Sequence, residues 1–310
     1  MSATHSPAAA GALGTPGAVT TAPTHAPTPG ATTGATPGAT TGPTRAQRPA
    51  RRARRLGPGR PLPLSRLWGP LLLLAAWTAG SASGALSPDT LSAPWTVVGT
   101  AGELIADGRL QSNLLTSLTR SGLALVAGVG VGTALALLSG LNRWGEALVD
   151  GTIQVKRAIP SLALIPLAIL WLGIGEPMKV TVIALGVLVP VYLTTHATLR
   201  GVDARFVELA ETVGLGRREF VTRVALPGAL PGFFTGLRMG VTVSWLGLVV
   251  VEQINATSGI GYLMTQARTY GQTDVIVVGL VVYALLGLAS DALVRAAERR
   301  ALSWRRSLAG

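Results

Sequence analysis

The chain contains no cysteine. Disulfides, thiolate metal sites and a cysteine nucleophile are therefore excluded, and the redox compartment is left unmarked. Charge is scarce as well: 13% of residues are Asp, Glu, Lys or Arg, against about 25% in a soluble globular domain. Acids are the scarcer sign, 14 against 26 Lys and Arg, for a net charge of +12. Aromatic residues make up only 5% and do not interleave with the basic ones, which argues against a nucleic-acid surface. His5, His25 and His196 are too scattered for a metal cluster or a catalytic triad. No G-x-x-x-x-G-K-[ST] occurs, so the chain supplies no ATP site of its own. Neither a His cluster nor paired acids mark any apolar run, which counts against a membrane-embedded enzyme.

What is present is apolar: 48% of residues are hydrophobic, and mean hydropathy is +0.47. Residues 1–44 are the exception, being built of Thr, Pro, Ala and Gly, with Thr28–Gly34 recurring as Thr36–Gly42. Such a segment buries too little apolar surface to offset its ordering entropy and is read as a disordered tail. Residues 45–66 hold eight arginines and read as a basic juxtamembrane anchor. The rest, 67–306, reads as one membrane domain.

Six apolar runs, at 67–87, 117–141, 159–175, 178–198, 229–252 and 273–295, each approach the roughly 20 residues that a helix needs to cross the hydrocarbon core. The first is too far from the N-terminus for a cleaved leader and is read as a span. The expected fold is an all-α polytopic membrane protein of six transmembrane helices. With the N-terminus inside, the basic segment, the inner connections and the C-terminal tail together hold twenty-one of the 26 basic residues, Lys156 and Arg157 among them. The outer pieces keep Arg109, Arg120, Lys179 and Arg268, and both chain ends fall in the cytoplasm. Between these pieces, Ser92 to Thr116 reads as an amphipathic helix at the outer interface, with Val97, Val98, Leu104, Ile105, Leu110, Leu114 and Leu115 as its apolar residues.

One inner connection, 200–228, carries a spaced pattern. Glu208, Ala210 and Gly214 are followed, nine residues on, by Val224-Ala225-Leu226-Pro227. The spacing predicts an exposed helix that ends near Gly214, where glycine accepts a left-handed backbone. A second short helix, Arg217 to Val224, should turn Phe220, Val221 and Val224 to the core, and Pro227 should break it before the fifth span. Ala210 and Gly214, four apart, would let a partner surface approach closely. This pattern resembles the EAA loop of ATP-binding-cassette importer permeases. Ile159 to Glu176, and Leu226 through Ser258-Gly259-Ile260-Gly261-Tyr262-Leu263 to Val275, are similar to sulfonate, nitrate and taurine permeases of that group. The likeness spans about residues 64–306 and departs at Thr194-Thr195-His196, where the family often has Asn-Thr.

The resemblance implies a type I importer permease whose coupling residues are Glu208, Ala210, Glu211, Gly214, Leu226 and Pro227. It implies a homodimer in the lipid membrane, two ATPase subunits that carry ATP and Mg, an extracytoplasmic solute-binding protein, and no cofactor or nucleic acid on this chain. Alkanesulfonate, taurine or nitrate is the implied substrate. A pyrimidine vitamin precursor is an alternative, and an ATPase-independent carrier or channel is a further one. Arg238 and Glu252, charges within the fifth span, are the candidates for the translocation path. Fourteen positions on one straight helix separate them by roughly 21 Å, so they should not pair with each other. Pro160 and Pro166 should kink the third span, and Gly128, Gly130 and Gly132 should serve close helix packing. The sequon Asn255-Ala256-Thr257 is a pattern that arises by chance.

Overall fold

The computed structural model describes residues 65–304, all of them helix, turn or connecting loop. The expected tail at 1–44, nearly all of the basic segment at 45–66, and Arg305 and Arg306 lie outside the described residues. Helices α1 (Ser65–Ala82) and α2 (Pro94–Ala106) lead into the long α3 (Arg109–Leu141). The chain then passes through α4 (Arg143–Gly145), a π turn at Glu146–Asp150, α5 (Gly151–Ala158), a 3₁₀ turn at Ser161–Leu164 and α6 (Ile165–Leu172). The central α7 (Glu176–Arg200) is followed by the short α8 (Ala204–Thr212) and α9 (Arg217–Phe220). A π turn at Val221–Ala225, α10 (Leu226–Asn255), α11 (Ile260–Thr269) and α12 (Thr273–Ala301) complete the order.

Among the described residues, four helical segments are long and apolar enough to cross a membrane: Arg109–Leu141, Glu176–Arg200, Arg217–Ile254 and Thr273–Ala301. A bent pair, Arg143–Ala158 with Ser161–Leu172, makes a fifth if counted as one span. The first expected run forms α1, 18 residues whose polar start at Ser65-Arg66 and Gly69-Pro70 keeps it out of that set.

Helix α7 is the centre of the bundle, packed between α3 and α10. Its Val182, Val187, Val191 and Tyr192 are fully buried. Both neighbours meet it through glycines four residues apart. A Cβ at Gly128 or Gly132 of α3 would lie 2.7 or 2.8 Å from the α7 carbonyls of Ala184 and Leu188. On α10, a Cβ at Gly236 would lie 2.8 Å from the Cα of Val191. In an apolar solvent, where helices gain little from hiding hydrocarbon, such close backbone approach supplies dispersion contact instead. Gly130 faces open space and takes no part. Polar bridges pin the same faces: the Tyr192 hydroxyl is hydrogen-bonded with the Ser139 hydroxyl at 3.0 Å and with the Asp150 carboxylate at 3.2 Å, and Ser121 meets Ser244 at 2.9 Å.

The bend expected at Pro160 is present, but it falls at the first residues of the third apolar run, and the helical segment it divides reaches back to Arg143. At Ile159 the backbone is extended (φ −97, ψ 116), because the Pro160 ring disfavours the helical region for the residue before it, and the pair turns by 90° there. Pro227, for its part, does not break the chain before the fifth span. It sits in the first turn of α10, where a missing N–H is harmless. The π turn before it lets the Leu226 N–H bond to the carbonyl of Val221, five residues back, so the helix runs on. Phe220 does pack on the core, against Leu199, Ala225 and Ala229. In the segment before α3, α2 buries Val97 and Leu104 against Ile260, Leu263 and Val275, while Val98 and Ile105 stay exposed.

Candidate functional site

Helix α8 starts on the side chain of Asp203, which accepts from the Arg205 N–H at 3.0 Å. It ends in a Schellman turn. Leu215 N–H reaches the Ala210 carbonyl at 2.9 Å, and Gly214 N–H reaches that of Glu211 at 3.0 Å. Gly214 takes φ +74, with open space where a Cβ would point. The glycine is therefore required by the backbone and not by a neighbour within the chain. Ala210 is the one residue of α8 that is buried, at 5% exposure. It faces its own chain, which corrects the expectation that Ala210 and Gly214 share an outward contact face.

The outward face carries a feature that the sequence reading passed over. Phe206, Leu209 and Val213, spaced three and four apart, are 55%, 59% and 68% exposed and line one side of the helix. Glu208 and Glu211 are exposed beside them. Behind the helix is a cleft of about 710 Å³, bordered by Thr198, Asp203, Phe206, Arg223, Pro227 and Trp304. Arg217 fastens the second half of the loop to the bundle, donating to the Leu141 carbonyl at the end of α3 at 2.7 Å. The apolar spacing at 206, 209 and 213 was readable in the sequence, but the family pattern drew attention to the small residues instead.

At the opposite end of the bundle Glu252, Arg120 and Lys179 are buried and paired, with the exposed Glu176 at the edge of the group. Glu252 near the end of α10 is 1% exposed. Its carboxylate accepts from Arg120, from the Ser117 hydroxyl at 2.9 and 3.0 Å, from the Gly261 N–H at 2.8 Å and from the Tyr283 hydroxyl at 3.0 Å. Arg120 grips Glu176 with two further bonds of 2.6 Å, and Lys179 joins Glu176 at 3.0 Å. The Ser-Gly-Ile-Gly segment has a physical role here. Gly259 adopts φ +115, and a Cβ on it would lie 2.4 Å from the Glu252 carboxylate. The free N–H groups that open α11 thus close on Glu252, Ser117 and Asn113, so that an acid caps a helix N-terminus.

Glu252 is enclosed by its own chain. One expectation is corrected. Arg120 and Lys179, assigned to outer connections, are buried within α3 and α7. Arg238, 44% exposed on its side chain, forms ion pairs with Asp291 at 3.5 Å and with Glu298. Arg238 and Glu252 do not meet, as their separation on one unbroken helix requires. No spacing signal links Arg120 to Glu252, 132 residues away; a lone arginine in an apolar run was the available clue.

The sequence profile of the family described as binding-protein-dependent transport system inner membrane component matches residues 128–303, more than half of the chain. The chain belongs to that family. It is 37% identical over 241 residues to the putative aliphatic sulfonates transport permease protein SsuC of Bacillus subtilis, covering 78% of this chain and 87% of the relative. The Escherichia coli protein of the same name is 43% identical over 235 residues, covering 76% and 89%. The E. coli taurine transport system permease protein TauC is 34% identical over 240 residues, covering 75% and 86%. Among solved structures, an amino acid ABC transporter with histidines shares the fold, with TM-score 0.54 at 20% identity, covering 66% of this chain and 97% of that one. This family member is thus the permease subunit of an ATP-binding-cassette importer, a multi-pass membrane protein that transports and does not catalyse.

Proposed function

We propose that six spans cross the cytoplasmic membrane: α1, α3, the bent α5–α6 segment, α7, α10 and α12, with both chain ends inside. The uneven division of basic residues supports this reading. It puts the α8–α9 connection, with Arg200, Arg205, Arg217, Arg218 and Arg223, in the cytoplasm.

The observation that carries the coupling role is that α8 is almost unpacked yet apolar. A nine-residue helix is too short to persist on propensity alone, and this one buries a single alanine in its own chain. Its stripe of Phe206, Leu209 and Val213 is suited to the groove of a separate ATPase subunit, with Glu208 and Glu211 on the rim. Ala210 lets the helix lie close to the bundle, and Gly214 closes it. Leu226 and Pro227 begin the unbroken α10, along which a push on the loop is transmitted. Two copies of the chain form the pore, two ATPase subunits hold ATP and Mg, and a solute-binding protein delivers substrate from outside. ATPase closure opens the cavity outward, and hydrolysis resets it. The substrate is a small anion, an aliphatic sulfonate or taurine, with nitrate in the same range, as the names of the relatives support.

Gly214→Trp tests the coupling assignment. The variant should reach the membrane at near-normal levels but lose roughly thirtyfold in ATPase co-purification, the equivalent of about 2 kcal/mol at an interface centre, and lose uptake with it. Wild-type ATPase binding and uptake by Gly214→Trp would refute the docking site. For topology, single cysteines at positions 217 and 107 should label only from the cytoplasm and only from outside, respectively, in a chain that has no native cysteine to interfere.

A further inference from the structure

A cavity of about 530 Å³ opens between the α5–α6 bend, α7 and α10. Its lining includes Lys156, the exposed Arg157 and Ser161 from the bend, Leu193 from α7, and Met239, Val243 and Leu246 from α10. No Asp or Glu is among its described lining residues, and neither Arg238 nor Glu252 reaches it. By sequence Lys156 is an inner topogenic charge, yet its half-buried ammonium reaches α7. It donates to the carbonyl of Leu185 at 2.5 Å and to the Ser161 hydroxyl at 2.7 Å. Leu185 is about 13 Å along α7 from Glu176 and about 22 Å from Arg200, at a rise of 1.5 Å per residue. The cation therefore sits near the middle of a span.

A charge at that depth calls for an opposite charge or a dense set of hydrogen bonds. Lys156 has neither in full. Two of its three N–H donors are used, and no carboxylate pairs with it among the described residues. The bend at Ile159–Pro160 is what brings the ammonium inward, because it turns the 3₁₀ segment back across α7 at Gly186. A Cβ there would lie 3.6 Å from the Ser161 hydroxyl. The remaining wall is aliphatic on two sides.

We propose that Lys156 and Ser161 form the intramembrane subsite for the head of an anion that carries an apolar tail, with Leu193, Met239, Val243 and Leu246 taking the tail. This rests on the importer reading above and narrows its substrate class. A free oxyanion without a tail leaves the aliphatic walls unfilled. An aminoalkyl sulfonate brings a second charge, an ammonium, against walls that offer it no acid. An alkanesulfonate satisfies both parts: the sulfonate oxygens accept from the third Lys156 donor and the Ser161 hydroxyl, and the chain replaces water on the apolar face. Because Lys156 lies at the bend, the same contact gives the substrate a handle on a segment of the bundle that is broken in mid-course.

The permease, reconstituted with its ATPase and solute-binding protein in phosphatidylcholine vesicles, gives the test; the neutral lipid removes anionic headgroups as a rival occupant. Uptake is read for methanesulfonate, hexanesulfonate, taurine and nitrate. Wild type should favour hexanesulfonate. Lys156→Met should lower its uptake by at least about tenfold, the scale of one lost charge-assisted hydrogen bond, whereas Lys156→Arg should keep most of it. Leu246→Trp should spare methanesulfonate and depress hexanesulfonate, and this arm stands even if Lys156→Met fails to reach the membrane. Unchanged rates and chain-length preference in assembled Lys156→Met, or an unchanged chain-length preference in Leu246→Trp, overturn the subsite while leaving the importer intact. Failure of wild type to move any of the four anions overturns the substrate class itself.

Discussion

The two ends of the bundle treat charge and apolar surface in opposite ways. Where α10 meets α11, charged groups are buried and answered: Glu252 has four kinds of donor, and Arg120 bridges two acids. At α8, apolar side chains are exposed and unanswered, with Phe206, Leu209 and Val213 all more than half exposed. Burying ions is costly unless geometry and hydrogen bonding compensate in full, so the first region is a completed structure that fixes α3, α7, α10, α11 and α12 against one another. Exposed apolar residues at helical spacing beside a one-residue anchor describe an incomplete structure. The first region holds shape, and the second carries the contact proposed for the ATPase subunit. A mutation in one should therefore read out as stability, and a mutation in the other as assembly.

The largest effect should follow Glu252→Ala. The change leaves the buried Arg120 with Glu176 alone and strips the α11 N–H of Gly261 and the Tyr283 hydroxyl of their acceptor. Breaking one side of a buried pair typically destabilises by about 3–5 kcal/mol. Thermal unfolding of the purified permease in detergent should show a clear drop in midpoint, together with reduced membrane levels. A midpoint within error of wild type would mean that the network is not what joins these helices.

Legibility in the sequence follows the same division. Helix α7 was readable almost to the residue, 178–198 expected and Glu176–Arg200 found, because a long apolar run between polar ends leaves a helix few alternatives. In the loop the turn at Gly214 was readable from the backbone freedom of glycine. What escaped was set by backbone detail or by distance in the chain. Hydropathy starts the third run at 159, whereas the helical segment begins at Arg143 and turns through 90° at Ile159–Pro160. Proline rules predict a break at Pro227, but a single wide turn at Val221–Ala225 absorbs the missing donor. The Arg120–Glu252 pair joins residues from separate helices, and only the folded chain reveals that each answers the other. The contact of Lys156 with α7 sits beside the same bend, whose right angle the proline rule does not give.

A smaller effect, of a different kind, is expected at Leu209→Asp. The side chain is 59% exposed, so the variant should unfold at the wild-type temperature. At a docked apolar centre, placing a carboxylate should weaken ATPase association by about 2 kcal/mol, roughly thirtyfold. Titration of the permease in nanodiscs with the ATPase subunit would measure the ratio directly. Should Leu209→Asp lower the unfolding temperature while leaving association alone, the contrast between the two ends would be reversed.

The smallest effect should come from Arg238→Met, which sharpens the comparison because Arg238 was itself a candidate for the path. Its guanidinium is nearly half exposed, and its acids have other company: Arg295 also pairs with Asp291. An exposed pair within a network contributes less than about 1 kcal/mol, and methionine keeps most of the aliphatic stem that packs along the helix. Unlike Lys156, Arg238 has carboxylates at hand and lines neither the 530 Å³ cavity nor a neighbouring one. Thermal midpoint and uptake should both remain close to wild type, uptake within about twofold, which corresponds to a few tenths of a kcal/mol. If uptake instead collapses while the protein stays folded and keeps its ATPase, the anion passes Arg238 on its way, and the ion pairs with Asp291 and Glu298 are a resting state that transport must break.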